Sequence, residues 1–473
     1  MPLALIAFYT TNLLRPTLNT LVVFLLSLLF YAYWSPVFTF LLIGSIFLNY
    51  LVGQHIKGRH LLFAGIFFNL LILFWFKYII FVARIAFNEE FVDSTFGIII
   101  LPLGISFFTF QQISYLVDRY RGGVVRPNFW TYGAYVTFFP QLIAGPIVRY
   151  HDVDRQLQRI LRGIPWRRLM VLGLSGMALF MIGLFKKVVI ADGLANWSDP
   201  IFSAGDRPLH TAEVWLGTLA YTFQLYFDFS GYSDMALGIG RMFGIFLPAN
   251  FYSPYKSRSI AEFWRRWHMS LSFFVRDYVY IPLGGSRKSH RRTAANLILA
   301  FILIGIWHGA GFTFVLWGLY HGALVTLSHI ARSYRWFSKM PAAAMTGITF
   351  LLIHFGWVMF RAPSVEAAFR LYQDMIVPSL RYTGTVYHVY AEFSFGCVFV
   401  GVAALLAFLG PNALEMLGSP SHSRLLGDHG PTKRRFSRSG MRRFALPIIT
   451  GALGFFAVSS IMGLNSTFLY FNF

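Results

Sequence analysis

Long apolar runs recur from one end of this chain to the other, and they leave it little choice of solvent. They lie near residues 18–34, 36–52, 60–86, 97–117, 168–191, 212–246, 293–309, 312–329, 341–360, 393–413 and 444–463. A helix needs about 20 apolar residues to cross the hydrocarbon of a bilayer, and in lipid its backbone amides must find partners within their own segment. The runs predict an all-α polytopic membrane protein with about eleven transmembrane helices. Several runs exceed one perpendicular crossing, so tilt or breaks are expected, most clearly where DFSGYSD interrupts 212–246. Only 12% of the 473 residues are charged, against about a quarter in soluble chains. Mean hydropathy is +0.58. One membrane domain over residues 1–473 is expected rather than several soluble ones.

The net charge of +21, from 40 Lys+Arg against 19 Asp+Glu, would suggest a nucleic-acid partner in a soluble protein. Here the basic residues gather in short connections such as RYHDVDRQLQRILRGIPWRR and KRRFSRSGMRR. That is the pattern of cytoplasmic loops, and it argues for a lipid bilayer and against nucleic acid. The basic segments 53–60, 119–128, 149–168, 253–292, 331–339 and 419–443 are placed inside. The segments 87–96, 193–211 and 362–392 are placed outside, giving a cytoplasmic N-terminus and a periplasmic C-terminus. The single cysteine, Cys397, sits in an apolar run and allows neither an intrachain disulfide nor a cysteine metal site. No cleavable signal peptide is evident.

Two segments resist this scheme. Residues 129–148 are apolar but basic on both flanks, and Pro140, Gly145 and Pro146 oppose a continuous helix. They read as a re-entrant element, which is tolerated only where protein or a water-filled cavity surrounds it. Residues 253–292 mix aromatic and charged side chains too densely for a lipid-facing helix, and read as a buried or re-entrant helix lining a cavity.

Ionisable groups inside a membrane domain are functional hypotheses by default. His308, in GIWHGAGFTFVLWGLYHG, is flanked by Gly309 and Gly311, which permit close approach. A histidine with an ordinary pKa accepts a proton near neutral pH. His268, in EFWRRWHMSLSFFVRDY, has Arg265, Arg266, Arg276 and Asp277 around it in sequence. Helical spacing would put Arg265 on its face, and structure and function stand level for this residue. In QLYFDFSGYSD, Gln224, Asp228, Tyr232 and Asp234 group together. The two aspartates are placed to orient a histidine, pair with the arginines or cap a helix, with charge pairing favoured. His321, with Tyr320, would lie some three and a half turns beyond His308 on a continuous helix, in a supporting role at best. His151 and His290 read as solvated. Phosphate loops, dinucleotide fingerprints, HExxH and G-x-S-x-G motifs are absent, and two isolated histidines make no zinc site. What remains is one base in a confined tunnel, which suffices to move a hydroxyl proton as an activated acyl group is attacked.

The stretch YFDFSGYSDMALGIGRMFGIFLPANFYSPYKSRSIAEFWRRWHMSLSFFVRDYVYIPLGGSR and the following IWHGAGFTFVLWGLYHG resemble the membrane-bound O-acyltransferase (MBOAT) family. LPLGISFFTFQQISYLVDRYRG and FFPQLIAGPIVRY resemble its bacterial alginate O-acetyltransferase branch, so the likeness spans roughly 101–323. The resemblance implies a ring of tilted helices around a central channel with re-entrant elements, in a bacterial inner membrane. It implies acyl transfer from a thioester to a hydroxyl, with His308 as the essential histidine of the WHG motif and His268 in the polar core. It further implies a cytoplasmic thioester donor such as acetyl-CoA, with no bound cofactor. Lys256, Arg258, Arg265 and Arg266 would attract the donor's phosphates. The acceptor would be an extracytoplasmic polysaccharide, reached directly or through periplasmic acetyltransferase or polysaccharide-modification partners. D-alanyl transfer to teichoic acid, a non-enzymatic transporter and a structural assembly subunit are the competing readings.

Overall fold

The computed structural model describes residues 1–461 apart from 88, 98, 144, 206, 208, 332–333, 335–338, 378–389 and 418–440. Among the described residues all regular structure is helical, and the chain divides into two compact units. The expected basic segment 419–443 falls largely outside the described residues.

The first unit comprises residues 1–180 and 235–248. Its helices are α1 (Pro2–Leu14), α2 (Asn19–Trp34), α3 (Pro36–His55), α4 (Arg59–Lys77), α5 (Ile79–Ala86), α6 (Glu89–Phe96), α7 (Ile105–Tyr120), α8 (Phe129–Thr137), α9 (Phe139–Leu142), α10 (Tyr150–Leu161) and most of α11 (Trp166–Phe185). The apolar helices cannot select partners by hydrophobicity in lipid, so polar contacts and small residues fix them. Asn49 of α3 and Asn69 of α4 exchange carboxamide hydrogen bonds at 3.2 and 2.7 Å. Gln112 of α7 donates to Ser45 Oγ at 2.8 Å. Asn12 donates to the Ile164 carbonyl and Asn19 to that of Ile160, at 2.9 and 2.8 Å.

One expectation changes here, and another, that 129–148 holds no continuous helix, does not. The run 97–117 becomes helical only from Ile105, and α7 is buried along nearly its whole length, so protein rather than lipid covers it. Residues 129–148 hold two short, largely buried helices, broken at Phe138 (φ −46°, ψ 102°). Pro140 starts the second of them.

The second unit comprises 181–234 and 249 onward. It contains a wide π-turn (Lys186–Ala191), α12 (Asp192–Phe202), most of α13 (Thr211–Met242), α14 (Ile260–Trp264), α15 (Met269–Val275), α16 (His290–His308), α17 (Phe312–Ala331), α18 (Ala342–Arg361), α19 (Val365–Ile376), α20 (Tyr390–Phe408), α21 (Ala413–Met416) and α22 (Met441–Ile461). α13 is one uninterrupted 32-residue helix, so DFSGYSD does not break it. The glycine serves contact instead: a Cβ on Gly231 would sit 2.7 Å from the Gly183 carbonyl oxygen and 3.1 Å from the Lys187 amide nitrogen. Backbone touches backbone there.

α16 and α17 form an antiparallel hairpin closed by residues 309–311. Gly305 faces the Phe314 carbonyl, Gly318 faces that of Phe301, and a Cβ on Gly322 would come 2.8 Å from the Ile298 Cα. These paired positions sum to a nearly constant number, which is the mark of antiparallel register. Among the described residues six helices are long and apolar enough to cross a membrane: Pro16–Trp34, Pro36–His55, Arg59–Lys77, Trp166–Phe202, Phe312–Ala331 and Ala342–Arg361.

Candidate functional site

The segment before His268 is not one helix. Ser259 Oγ accepts the Glu262 amide and starts α14, which ends at Trp264. At His268 the backbone turns left-handed (φ 42°, ψ 53°), where a residue with a Cβ costs of order 1–2 kcal/mol. The neighbours hold it there. The Asn250 carbonyl accepts the Met269 amide at 3.0 Å, and Asn250 Oδ1 accepts the Ser270 hydroxyl at 2.6 Å. This kink turns the imidazole fully inward while Arg265 stays exposed, so the expected shared helical face does not form. Arg266 is buried and donates to Glu262 at 2.7 Å. Arg276 and Asp277 pair with each other at 2.7 Å on an exposed turn. None of these three charges is seen to address His268.

The partners of His268 are rings. Phe229 packs edge-on at 4.8 Å, Trp307 at 6.0 Å, and the His308 ring centroid lies 6.3 Å away. His308 ends α16 because Gly309 follows in extended conformation. A Cβ on Gly309 would collide with the Phe314 ring, so this glycine admits a side chain of its own hairpin. Gly311 meets only ordinary contacts, the closest at 3.6 Å. Trp307, Phe360 and Trp317 wall His308 at 4.9, 5.2 and 5.4 Å.

The hairpin also corrects the place of His321. It is no three and a half turns away: Trp317 touches both histidines, with His321 at 4.9 Å, and Trp264 packs on His321 at 5.2 Å. A fourth histidine, His354 of α18, was not singled out from the sequence. Its Nδ1 lies 2.8 Å from Thr222 Oγ1, and its ring stacks on Trp215. Its only signal in sequence is an imidazole inside the apolar run LLIHFGWVMF. Both ring nitrogens of His268 and of His321, and Nε2 of His354, have no hydrogen-bond partner among the described residues. Buried polar atoms left this way are unusual and call for an explanation, such as a bound water, an ion or a ligand group. His308 differs from the other three. It keeps 7% of its surface accessible, against 0% for His268, His321 and His354.

Asp228 and Asp234 pair with lysines, not arginines. Asp228, Gly231 and Asp234 follow at intervals of three along α13 and share a face. Lys186 Nζ reaches Asp234 at 2.6 Å, and Lys187 Nζ reaches Asp192 at 2.6 Å and Asp228 at 2.7 Å. Tyr232 is half-buried between them in sequence. Both lysines lie on the π-turn, a distortion that often accompanies functional sites. Of the four cations expected to draw a donor's phosphates, Arg266 is engaged by Glu262 and Lys256 donates to the Gly410 carbonyl at 2.5 Å. Burial lowers the Lys256 pKa. Arg258 and Arg265 are exposed. Among the described residues no three His, Cys, Asp or Glu side chains converge as a metal site would need.

His151 is exposed, as expected of a solvated residue, and is also held by two carboxylates in the first unit. Its Nδ1 lies 3.0 Å from Asp118 and its Nε2 3.2 Å from Asp152. These carboxylates, Asp118 foremost, raise its pKa to about 9.

Apolar helices in number and a histidine cluster with aromatic walls define a multi-span membrane enzyme of the O-acyltransferase class. Residues 120–365 match the MBOAT, membrane-bound O-acyltransferase family, and the chain belongs to that family. The peptidoglycan O-acetyltransferase of Helicobacter pylori is 39% identical over 78% of this chain and 75% of its own length. The probable alginate O-acetylase AlgI of Pseudomonas aeruginosa is 41% identical over 76% and 69%. The teichoic acid D-alanyltransferase of Bacillus subtilis is 30% identical over 54% and 67%. Within the family the chain falls in the alginate O-acetylase branch.

Proposed function

We propose that this chain moves an acetyl group from a cytoplasmic thioester, acetyl-CoA, toward the hydroxyls of an extracytoplasmic polysaccharide. The single observation that carries the assignment of the base is the accessibility of His308 beside a wholly buried His268. In the reaction a His308 ring nitrogen takes the hydroxyl proton as the oxygen attacks the thioester carbonyl. The tetrahedral intermediate collapses, the carbon–sulfur bond breaks, and the thiolate leaves and is protonated. His268 orients the donor or donates to the developing oxyanion. Arg258 and Arg265, exposed on the segment that leads to His268, are the cations best placed to meet the donor's phosphates.

The acetyl group passes to polymer directly or through a periplasmic partner protein. Relatives named for acetyl transfer match more of this chain, at higher identity, than those named for D-alanyl transfer, which favours acetyl as cargo. Relatives named for peptidoglycan and for alginate match about equally, so the acceptor class is polysaccharide in general. The reading includes one membrane domain of about eleven crossings, with 129–148 re-entrant and a channel joining the two faces. It sits in the bacterial inner membrane, N-terminus inside and C-terminus outside.

The test is consumption of acetyl-CoA by the purified, lipid-reconstituted protein supplied with acceptor polymer and its partner proteins. His308→Ala is expected to lower turnover at least 100-fold, the usual weight of a general base. An inserted, folded His308→Ala protein with unchanged turnover would refute the assignment. Turnover from D-alanyl carrier protein but not acetyl-CoA would replace the donor.

A further inference from the structure

The exposed face of α10 has a chemistry that acyl transfer does not use. α10 is strongly two-faced. Tyr150, Val153, Leu157 and Ile160 are buried, while Arg155, Arg159 and Arg162 follow at i, i+4 and i+7 on the exposed side. This stripe and Arg126, from the connection after α7, line a cavity of about 550 Å³, within the range of small-ligand sites. Gln158 and the Tyr150 ring also line it, and Asp154 is the one acid there.

Four guanidiniums thus share a cavity with a single carboxylate. Nearby arginines are already engaged: Arg149 holds Asp152 at 3.2 Å, and Arg119 donates to the Gly53 carbonyl at 3.3 Å. Among the described residues, by contrast, none of Arg126, Arg155, Arg159 and Arg162 makes an ion pair or a side-chain hydrogen bond. Like charges gathered in this way repel unless an anion joins them. The planar fork of guanidinium matches phosphate oxygens in particular. Trp130 and Trp166, on the neighbouring α8 and α11, are both about half exposed. Tryptophans are enriched at the headgroup level of membrane proteins, and their presence on helices next to α10 suits a cavity near lipid phosphates.

We propose that this arginine-lined cavity binds a phosphate-bearing anion. Two sources carry that chemistry, the headgroup of an anionic phospholipid and a soluble organic phosphate. The site lies outside the histidine cluster, in the first unit, and the inference stands whether or not the acyl-transfer reading does.

The experiment uses the full chain in nanodiscs of phosphatidylcholine. In the lipid arm, phosphatidylglycerol is titrated into the discs and retained lipid is counted by native mass spectrometry. In the soluble arm, inorganic phosphate and adenosine diphosphate are titrated by calorimetry. Arg155→Gln with Arg159→Gln is expected to weaken whichever binding the wild type shows by on the order of 30-fold, at about fivefold per arginine. Arg167→Gln with Arg168→Gln, which removes the same charge from the start of α11, is the control and should cost far less. Asp154→Asn should tighten binding, a change that misfolding cannot imitate. Binding in the lipid arm alone names a headgroup, and binding in the soluble arm names a metabolite. No binding in either arm, equal losses in the two double variants, or no tightening in Asp154→Asn would overturn the proposal.

Discussion

Replacing Lys187 by methionine isolates a buried ion set of the second unit. Lys187 Nζ lies 2.6 Å from Asp192 and 2.7 Å from Asp228, and the Asp228 side chain is only 2% exposed. At an effective dielectric of about 20, each contact contributes roughly 6 kcal/mol of Coulomb attraction. Several kcal/mol per ion of desolvation offset most of that, so the intact set is close to neutral for stability. The balance fails when one member is removed. Methionine keeps the length of the side chain but takes away the ammonium that both carboxylates, 192 and 228, share. Breaking a buried pair in this way costs about 3–5 kcal/mol. Lys187→Met should therefore be clearly less heat-stable than wild type. Lys187→Met with Asp192→Asn and Asp228→Asn should recover most of the loss, since it removes the whole charged set. The assay is thermal challenge of detergent-solubilised protein followed by size-exclusion chromatography, with all variants handled alike. If the single and triple variants melt together, or if Lys187→Met is as stable as wild type, Lys187, Asp192 and Asp228 do not form a fixed ion set.

Two further perturbations probe the scaffold. Asp118 and Asp152 raise the His151 pKa to about 9, so its stabilising contribution is complete below about 6.5 and is lost as pH rises through about 9. Thermal stability measured from pH 6 to 10 should show wild type above His151→Gln at low pH, with the gap closing by about pH 10; a gap independent of pH would refute the clamp. In the hairpin, Gly318→Val would drive a Cβ into the Phe301 carbonyl and to 2.9 Å from the Ile302 Cα, both backbone atoms that cannot step aside. It should lower stability by at least the 1–3 kcal/mol of ordinary overpacking and reduce turnover. Gly347→Val in α18, which meets nothing within 4 Å, should do neither.

The positions of the helices were legible in the sequence because lipid imposes a simple rule on apolar length. The rule fails where a helix is apolar but covered by protein. α7 is the example: Phe107, Phe108, Ile113 and Leu116 would suit lipid, yet they are buried in protein together with Gln111 and Gln112. The rule also misreads polar residues as breaks. Asp228, Gly231 and Asp234 look like an interruption, but in an unbroken helix they place two carboxylates and a close-contact glycine on one face. Their partners Lys186 and Lys187 lie some forty residues earlier, and nothing local to the motif announces them. The carboxylate partners of the exposed His151 are hidden for the same reason. Asp152 adjoins it in sequence, but Asp118 reaches it from α7 through the fold.

The histidine pair shows where local reading ends and the fold takes over. His268 and His308 stood out because imidazoles are rare in such surroundings, but the sequence put arginines around one and set His321 at a distance from the other. Two turns of backbone decide otherwise. The left-handed conformation at His268 swings its ring away from Arg265 and into the aromatic cluster. Such a conformation in a residue with a Cβ leaves no trace in composition or periodicity, because the hydrogen bonds that hold it come from Asn250. The hairpin turn after His308 then folds α17 back, so that Trp317 packs against His308 and His321 together. Without that turn the two histidines would lie about 20 Å apart along one helix. Gly305, Gly318 and Gly322 let the hairpin close. The glycines that the sequence offered as room for a ligand beside His308 are thus best understood with these three. Gly309 admits Phe314, and the helix glycines admit the opposite backbone. What they build is an aromatic-walled histidine cluster in which His308 keeps the little exposure it has through packing rather than charge.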